Sequence, residues 1–565
     1  MIQIHIEKMT MGFRIHVPVV QAEAAVLQYA QRLHAPKIGR DRGRITTEIG
    51  EAFYLRIQRH RVYFFHLEHL QPIKDVIAAA MCGTMGSYEF VESTLGHVKP
   101  YECQFKRYGF QMEVTDPESR FFYQNEVVAT ASQPDRFQTI FAIQTGRGKT
   151  KSAQKTMVKL GTRTVIIVRP SYIDKWEYDT CRDKTGLRER RKRVYIAKGV
   201  RGITEMLYEG MYGTLDKRRI STIMIPTTSL QLWLKDYCEN PQQYTQIEIG
   251  EFYNYLKAGL VLHDEIHEHF LLVYLSAIAM NPPKLLEMSA TIDPSKSKQF
   301  ICDRYLERFP LSARLSVDYI PVVDVAGIYY SISDPKFCAK ANRMKLYSHT
   351  TYEKNLYQHG IIDQYFDMIY DLLQRGYLNN YQSGQKALVF FSLVQTCKDF
   401  QSYLDRRLAR EGWKLNTAKY NAGDSYDKFI AADIGISTPG KAGTAIDIPG
   451  LVLALVTIPI DDKQLNEQIT GRPREVTAWD LTPKVLFLHC VQVSKHNRYL
   501  RSRKRELEKI VKSFKIAHSK YDLKGGKPRG INNSVHRPNL KRVPLPNSSS
   551  LSQRRGGFKR GRKKW

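Results

Sequence analysis

Residues 141–157 read FAIQTGRGKTKSAQKTM, an apolar strand followed by a glycine-rich turn and a helix-forming run. The turn and the start of the helix consist of Thr145, Gly146, Arg147, Gly148, Lys149 and Thr150. Glycines let backbone N–H groups wrap phosphates, a lysine reaches the β and γ oxygens, and a threonine hydroxyl binds Mg²⁺. The stretch therefore predicts a nucleotide phosphate loop. Ile143 stands where the longer consensus has glycine, and a glycine-rich turn before a helix is also a common structural device.

The same order of apolar strand, polar loop and helix recurs along the chain. In the first half it is found at 164–176, 222–233, 259–270 and 285–292. After a looser stretch it returns at 386–404, 432–450 and 451–459. Such a pattern is typical of buried parallel sheets whose functional loops gather at the carboxyl ends of the strands. We expect an α/β protein with two tandem parallel-sheet lobes.

The two ends of the chain differ from this pattern. The first hundred residues mix short alternating strands with two apolar helices, near 20–33 and 70–81, and indicate a small α+β module. The end of the chain is rich in Gly, Pro, Ser, Asn and basic residues, without an acidic residue after Asp522. The predicted domains are an N-terminal accessory domain at 1–105, a first lobe at 106–315, a second lobe at 316–500, and a basic helix with a flexible, disordered tail at 501–565.

The charge balance favours polyanionic partners. The 565 residues include 86 Lys and Arg against 56 Asp and Glu, a formal charge of +30. Neutralising phosphates releases counterions, so this excess favours nucleic acid, although a solvated or membrane-attracted surface is an alternative. The eight cysteines form no CxxC pair, which argues against a zinc ribbon and a disulfide framework and suits a reducing cytoplasm. The sequence shows no signal peptide and no membrane span.

Two adjacent acids follow the apolar run at 259–262. Asp264 can hold Mg²⁺ while Glu265 accepts the proton of an attacking water, as nucleotide hydrolysis requires. A second interpretation is a metalloprotease-like site, because His263 and His267 have the i, i+4 spacing of zinc ligands. That spacing needs a helix, whereas the preceding run is strand-like. A surface acidic turn is the third alternative.

The phosphate loop, the DEIH sequence at 264–267 and the SAT sequence at 289–291 resemble, in order and spacing, motifs I, II and III of superfamily 2 helicases of the DExH kind. The resemblance implies RecA-like lobes, ATP hydrolysis with Mg²⁺, and a nucleic-acid partner. It implies that the motor cycle is coupled to hydrolysis by His267, Ser289, Ala290 and Thr291. It also assigns adenine recognition to Tyr123 and Gln124, which resemble the Q motif.

Further residues match the remaining motifs of this family. Those that resemble motifs Ia, Ib and V, and by resemblance bind the nucleic-acid backbone, are Arg169, Pro170, Thr227, Thr228, Ser437, Thr438 and Thr444. Those that would face the nucleotide from lobe two are Asp447, Gln468, Arg472 and Arg474, with Arg472 the first choice for an arginine finger. Hydroxyls after strands are also routine helix caps. Tyr172, Trp176 and Trp233 follow motifs Ia and Ib and are expected to pack in the core, with stacking on bases as the alternative.

In layout the chain resembles phage recombination and branch-migration helicases of the UvsW kind. That narrower resemblance implies branched or duplex DNA as substrate, replication or recombination proteins as partners, and the host cytoplasm as location. An RNA helicase and a non-catalytic nucleic-acid-binding protein are the alternatives. A second basic element is predicted in the stretch 499–515 and in the tail residues Arg554, Arg555, Lys559, Arg560, Arg562, Lys563 and Lys564.

Overall fold

The fold was determined from a computed structural model of the full chain. It describes residues 2–41, 44–57, 60–82, 87–105, 110–119, 121–143, 148–183, 186–289, 299–309, 313–315, 321–343, 347–443, 446, 448–473, 476 and 478–530. Within these ranges the helices are too short or too polar to span a lipid bilayer.

The N-terminal module is a small α+β unit. Its elements are β1 Ile2–Lys8, β2 Gly12–His16, α1 Val20–Ala30, β3 His34–Asp41, β4 Arg44–Glu51, β5 Leu55–Ile57, β6 Val62–His66, α2 Leu70–Met81 and β7 Tyr88–Thr94. Five strands form a sheet in the order β5-β6-β2-β1-β7, and β3 pairs with β4. Ile73, Ile77 and Met81 recur every four residues on α2 and are buried, which is the apolar stripe expected from the sequence.

This module is fused to the first lobe by a shared apolar core. A methyl group added at Gly12 would lie 2.2 Å from the carbonyl oxygen of Ile278, so the backbones of β2 and the lobe approach closely. The Phe53 and Tyr274 rings meet edge to face at 5.2 Å. The backbone N–H of Cys103 also donates to Gly161 of the first lobe at 2.7 Å. The chain thus enters the first lobe before the predicted boundary at residue 105.

The first lobe is built on a seven-stranded sheet in which every described pairing is parallel. Its elements are α3 Gln124–Ala131, β8 Gln138–Ile143, α4 Lys149–Leu160, β9 Thr164–Val168, α5 Ile173–Cys181, β10 Val194–Ile196, α6 Gly199–Met211, α7 Thr214–Lys217, β11 Thr222–Pro226, α8 Thr227–Glu239, α9 Phe252–Tyr255, β12 Leu260–Asp264, α10 Phe270–Ala279, β13 Leu285–Ser289, α11 Gln299–Arg308 and β14 Ala313–Leu315. The strand order is β10-β11-β9-β12-β13-β8-β14. This order brings the carboxyl ends of β8, β13 and β12 side by side.

The second lobe repeats this architecture. Its elements are β15 Asp324–Ile332, α12 Pro335–Arg343, α13 His349–Gln358, α14 Ile362–Gly376, β16 Lys386–Phe390, α15 Val394–Arg410, β17 Thr417–Tyr420, α16 Tyr426–Ala431, β18 Ile434–Ser437, β19 Leu451–Val456, α17 Lys463–Thr470, β20 Lys484–Cys490, α18 Ser494–Leu507 and β21 Ser513–Leu523. The order of its parallel strands is β17-β18-β16-β19-β20-β15-β21. If the strands of each lobe are numbered from one, both sheets read 3-4-2-5-6-1-7. The predicted α/β fold with two tandem RecA-like lobes is confirmed.

Strand β21 was not expected from the sequence. It extends the second sheet beyond residue 500, where the predicted second lobe ends, by pairing in parallel with β15. Most of its side chains are half-buried or exposed, because the strand lies at the edge of the sheet. Its polar composition therefore resembles that of a loop, and the pattern of apolar residues does not reveal it.

A buried acid in strand β13 of the first lobe makes folding stability depend on pH. Glu287 accepts hydrogen bonds from Gln138 at 2.7 Å and from the Tyr305 hydroxyl. Burial raises the pKa of Glu287 from 4.5 to about 7, although both hydrogen bonds oppose the shift. The folded state thus binds more protons than the unfolded state between these values, and stability falls as the pH rises through that window.

Glu287→Gln is expected to stabilise the protein at pH 8 by on the order of 2 to 3 kcal/mol, because it removes a buried charge. At pH 5 the native carboxyl is protonated, so the same variant should gain almost nothing. Urea unfolding at both pH values measures the difference. Glu205→Gln, on an exposed ion pair with Arg201, is the control and should change little. Equal effects of Glu287→Gln at the two pH values would contradict the prediction.

Candidate nucleotide site and nucleic-acid interface

Helix α4 begins where the predicted phosphate loop ends. Gly148 precedes its first residue with φ 86° and ψ 32°, a left-handed conformation that glycine adopts without strain. A methyl group at this position would lie 2.4 Å from Nε2 of Gln124, so any other residue would also displace that amide. Gln124 itself is 4% exposed. The α4 N-terminus, where unpaired backbone N–H groups favour anions, is thereby bounded by the predicted adenine-reading residue.

Lys149 joins the two predicted catalytic acids. Its ammonium group forms an ion pair with Glu265 and lies 3.9 Å from Oδ1 of Asp264. Oδ2 of Asp264 accepts a hydrogen bond from the indole N–H of Trp176 at 3.0 Å. Next to Lys149 along the chain, Thr150 accepts a hydrogen bond on its hydroxyl from Lys175 at 3.0 Å. The side chains that sequence analysis assigned to phosphate, Mg²⁺ and water activation therefore meet in one buried cluster.

The turn after β12 orients Glu265. This residue has φ 55° and ψ 51°, a left-handed backbone conformation that is unfavourable for residues other than glycine. Such strained residues are often found at functional sites. His267 lies 3.4 Å from Oε2 of Glu265 and hydrogen-bonds the Ser289 hydroxyl at the end of β13. Strand β13 is paired with β12, so Ser289 at its end lies beside the turn that carries His267. The hydrogen bond between these residues connects the predicted motifs II and III directly.

The electrostatics of the site follow from its burial. Burial raises the pKa of Asp264, and the nearby Lys149 charge opposes that shift. Burial also lowers the pKa of His263 to about 3, with a contribution from His269, so its ring is neutral at physiological pH. His263 belongs to β12 and His267 to a short 3-10 turn, so no helix places them on one face as a zincin site requires. Within the described residues no group of His, Cys, Asp or Glu has a geometry suited to a metal ion held by protein side chains alone.

The cluster nevertheless fits a nucleotide with its Mg²⁺. Oδ1 of Asp264 is buried and accepts no hydrogen bond in the described structure. A buried carboxylate oxygen without a hydrogen bond, together with the hydroxyl of the threonine that follows Lys149, suits Mg²⁺ when nucleotide phosphates and water supply the remaining ligands. Thr150 and Asp264 are the residues that would hold the ion.

The predicted nucleic-acid contacts of lobe one follow strands β9 and β11. Arg169 is half-buried, forms an ion pair with Glu268 at 2.6 Å and precedes the exposed Pro170. Thr228 is exposed at the start of α8, whereas Thr227 is buried and lies 3.4 Å from His269. Hence Thr228 and Pro170 are accessible to a ligand. The expectation that the nearby aromatics pack in the core is confirmed, because burial is nearly complete for Tyr172, Trp176 and Trp233.

In lobe two, several predicted residues bind the protein itself. Ser437 is buried and donates its hydroxyl to the carbonyl of Tyr420. Arg472 is 7% exposed and donates to the carbonyls of Gly443 and Ile446 at 3.0 and 2.7 Å, so it braces the segment after β18. Its role as an arginine finger stays a prediction. Nε2 of the buried Gln468 has no hydrogen-bond partner in the described structure. Thr438 is half-buried at the end of β18.

Tyr123, the other predicted adenine contact, precedes α3 and is partly buried. The remaining predicted residues lie outside the described ranges: Thr145, Gly146, Arg147, Ala290, Thr291, Thr444, Asp447 and Arg474, together with the basic tail. Two residues that sequence analysis did not place in the nucleotide site belong to it, Lys175 and Trp176. The only feature of the sequence that could have indicated their role is their position, shortly after the predicted motif Ia.

Comparison with known proteins gives distant similarity of fold. No family model and no curated protein matches the chain. One similar structure is a fragment described as an HsdR subunit of a type I restriction enzyme from Vibrio vulnificus YJ016, at 12% identity, with 71% of this chain and 69% of that chain covered and a TM-score of 0.41. Another is S. cerevisiae Dbp5 bound to RNA and ADP BeF3, at 10% identity, 70% and 89% coverage and a TM-score of 0.42. A third is Mss116p bound to single-stranded RNA and AMP-PNP, at 15% identity, 75% and 82% coverage and a TM-score of 0.42. The roles proposed below rest on this chain's own residues and contacts.

Proposed function

We propose that the protein is an ATP-driven motor of the superfamily 2 helicase type that moves along or remodels nucleic acid. The observation that carries this proposal is the buried cluster in which Lys149 is ion-paired with Glu265 beside Asp264. A lysine at a helix N-terminus and two acids at the end of a strand of the same sheet are the groups that phosphoryl transfer to water needs. The net charge of +30 supports a polyanionic track.

The resting contacts suggest how the residues act. When ATP binds, Lys149 exchanges its ion pair with Glu265 for the β and γ phosphates, which frees the Glu265 carboxylate to accept a proton from the attacking water. Thr150 and Asp264 would hold Mg²⁺, which when bound would supply positive charge to the phosphates. By the helicase resemblance, Arg472 and Arg474 reach the nucleotide from lobe two once Arg472 releases the carbonyls of Gly443 and Ile446. Binding then closes the lobes and hydrolysis lets them part. The two lobes then bind the nucleic-acid backbone alternately, and the protein moves along it.

As the finer proposal, the track is branched or duplex DNA. Support comes from the N-terminal module, which shares a core with lobe one and so moves with it as one body. A rigid module beside the motor can hold a duplex while the lobes act on a strand. The module is proposed as a duplex-binding accessory domain, and the substrates as forks, D-loops, R-loops or four-way junctions.

Steady-state ATP hydrolysis tests both levels of the proposal. We expect low activity without nucleic acid and at least roughly tenfold stimulation by a four-way DNA junction or forked DNA, with less by single-stranded DNA and RNA. Stimulation by RNA alone would keep the motor and overturn the choice of DNA. Absence of hydrolysis on every substrate, with nucleic acid still bound, would favour the non-catalytic binding protein.

A further inference from the structure

Helix α5 presents three faces to three different parts of the molecule. Residues four apart share a face of a helix, so its side chains fall into groups. The group buried in the core of lobe one is Ile173, Trp176 and Thr180; the group beside α4 is Lys175 and Asp179; the group toward lobe two is Asp174, Tyr178 and, just past the helix end, Arg182. One short helix therefore touches the nucleotide site and the second lobe.

The first two faces hold both predicted Mg²⁺ ligands. The Trp176 indole N–H donates to Oδ2 of Asp264 at 3.0 Å, in full burial. Lys175 donates to the Thr150 hydroxyl at 3.0 Å and to Asp179 at 2.7 Å. The orientation of the Asp264 carboxylate thus depends directly on the position of α5.

The third face binds lobe two through an acid. Oδ2 of Asp174 accepts hydrogen bonds from the Tyr420 hydroxyl at 2.9 Å and from the Lys441 ammonium at 3.0 Å. The same ammonium lies 4.5 Å from the centre of the Tyr420 ring, a favourable cation–π distance. An ion pair of Arg182 with Asp427 and a ring contact of Tyr178 with Tyr426 at 5.3 Å extend the interface.

The N-terminal end of this helix is close to predicted nucleic-acid contacts of both lobes. Arg169 and Pro170 lead into α5 within one short turn. Lys441 lies in the turn that follows Ser437 and Thr438. A nucleic-acid strand bound to these segments in both lobes would therefore act on α5 from lobe one and from lobe two.

We propose that α5 transmits the position of lobe two to the Asp264 carboxylate, with Asp174 and Trp176 as positioning residues on its two sides. This inference rests on the proposed ATPase function and adds a route by which nucleic acid on the two lobes stimulates hydrolysis. Because only about half a turn of helix separates Asp174 from Trp176, a shift of lobe two moves the indole that holds the acid.

A charge exchange tests the lobe-two side. Asp174→Lys and Lys441→Asp each place like charges together and should reduce the ratio of nucleic-acid-stimulated to basal ATPase roughly five- to hundredfold, the usual range of coupling between sites. The double variant restores the pair with reversed polarity and should recover most of that ratio. Energy transfer between dyes on the two lobes reports the contact without hydrolysis and should follow the same pattern. Glu239→Lys, an exposed acid of α8, carries the same change of charge and should behave as the wild type.

Trp176→Phe tests the side at the acid. It keeps the aromatic bulk but removes the N–H, and should weaken Mg²⁺-dependent binding of a fluorescent ADP roughly ten- to a hundredfold while Mg²⁺-free binding stays unchanged, as is typical when a partner of a metal ligand is lost. Trp233→Phe is the matched control, since its equally buried indole donates to Thr204. Either of two results overturns the inference: a charge-exchanged double variant no better than its single parents, or Trp176→Phe indistinguishable from Trp233→Phe. Wild-type protein without ATPase activity would instead refute the proposed function, and the dye and ADP measurements would still decide the role of α5.

Discussion

Glu265→Gln is expected to lower kcat for ATP hydrolysis by roughly a hundred- to ten-thousandfold, the range attributed to a general base. The amide has the shape of the carboxylate and can still accept a hydrogen bond from Lys149, but it cannot take a proton from water. Binding of the nucleotide should therefore remain close to that of the wild type. Steady-state ATPase with saturating nucleic acid, combined with titration of a fluorescent ADP, measures the two properties separately.

The matched control is Glu268→Gln, three residues further along the same turn. Glu268 is also mostly buried but binds Arg169 rather than Lys149. Its amide variant should lose far less activity. Loss of a general base lowers kcat at least about a hundredfold. If Glu265→Gln retained more than about a tenth of the wild-type kcat, Glu265 would therefore not be the residue that activates water.

Arg503→Ala is expected to destabilise lobe two by roughly 3 to 5 kcal/mol, because it opens a cavity and leaves several buried hydrogen-bond acceptors unpaired. The guanidinium is fully buried, donates to Asn466 at 3.0 Å and to the carbonyls of Ile458 and Ile460, and contacts the Phe487 ring at 3.9 Å. Burial lowers its pKa to about 9, which reflects the cost of keeping the charge there. Urea unfolding of the full chain, followed by circular dichroism, should show an earlier transition.

Arg505→Ala, two residues along the same helix, is the control. Arg505 is exposed, and its removal should change stability by less than about 0.5 kcal/mol. Loss of nucleic-acid affinity is expected to show the opposite order, with the exposed arginine contributing more. Two variants of equal stability would show that the buried network around Arg503 contributes nothing to the fold.

The sheets were predictable because their signals are local. Runs such as 164–168 and 222–226 are apolar after a first threonine and buried throughout, as parallel strands covered on both faces require, and each is followed by a helix. The juxtaposition of Lys149 with Asp264 was predictable for the same reason, since parallel strands end at one edge of a sheet. The resemblance to helicase motifs then supplied roles for these residues, which remain proposals.

The parts that were missed depend on distant partners. Trp176 looked like an ordinary core residue, because its indole N–H gains meaning only when β9 and β12 lie side by side and bring Asp264 to it. Arg503 belongs to a stretch interpreted as a phosphate-seeking helix, and composition does not distinguish an arginine in solvent from one in a buried hydrogen-bond network. Strand β21 was hidden by its exposed polar side chains.

The shared strand order of the two lobes has a consequence for stoichiometry. Lobe one follows its first strand with a glycine-rich loop, whereas at the equivalent place in lobe two β15 is followed by Ser333 and Asp334, and then Pro335 begins α12. A proline at the first position of a helix removes one of the N–H groups that would meet a phosphate there. Under the proposed function, only lobe one carries a phosphate loop, so we expect each chain to bind a single ATP. Calorimetric titration with a non-hydrolysable analogue should accordingly give one site per polypeptide.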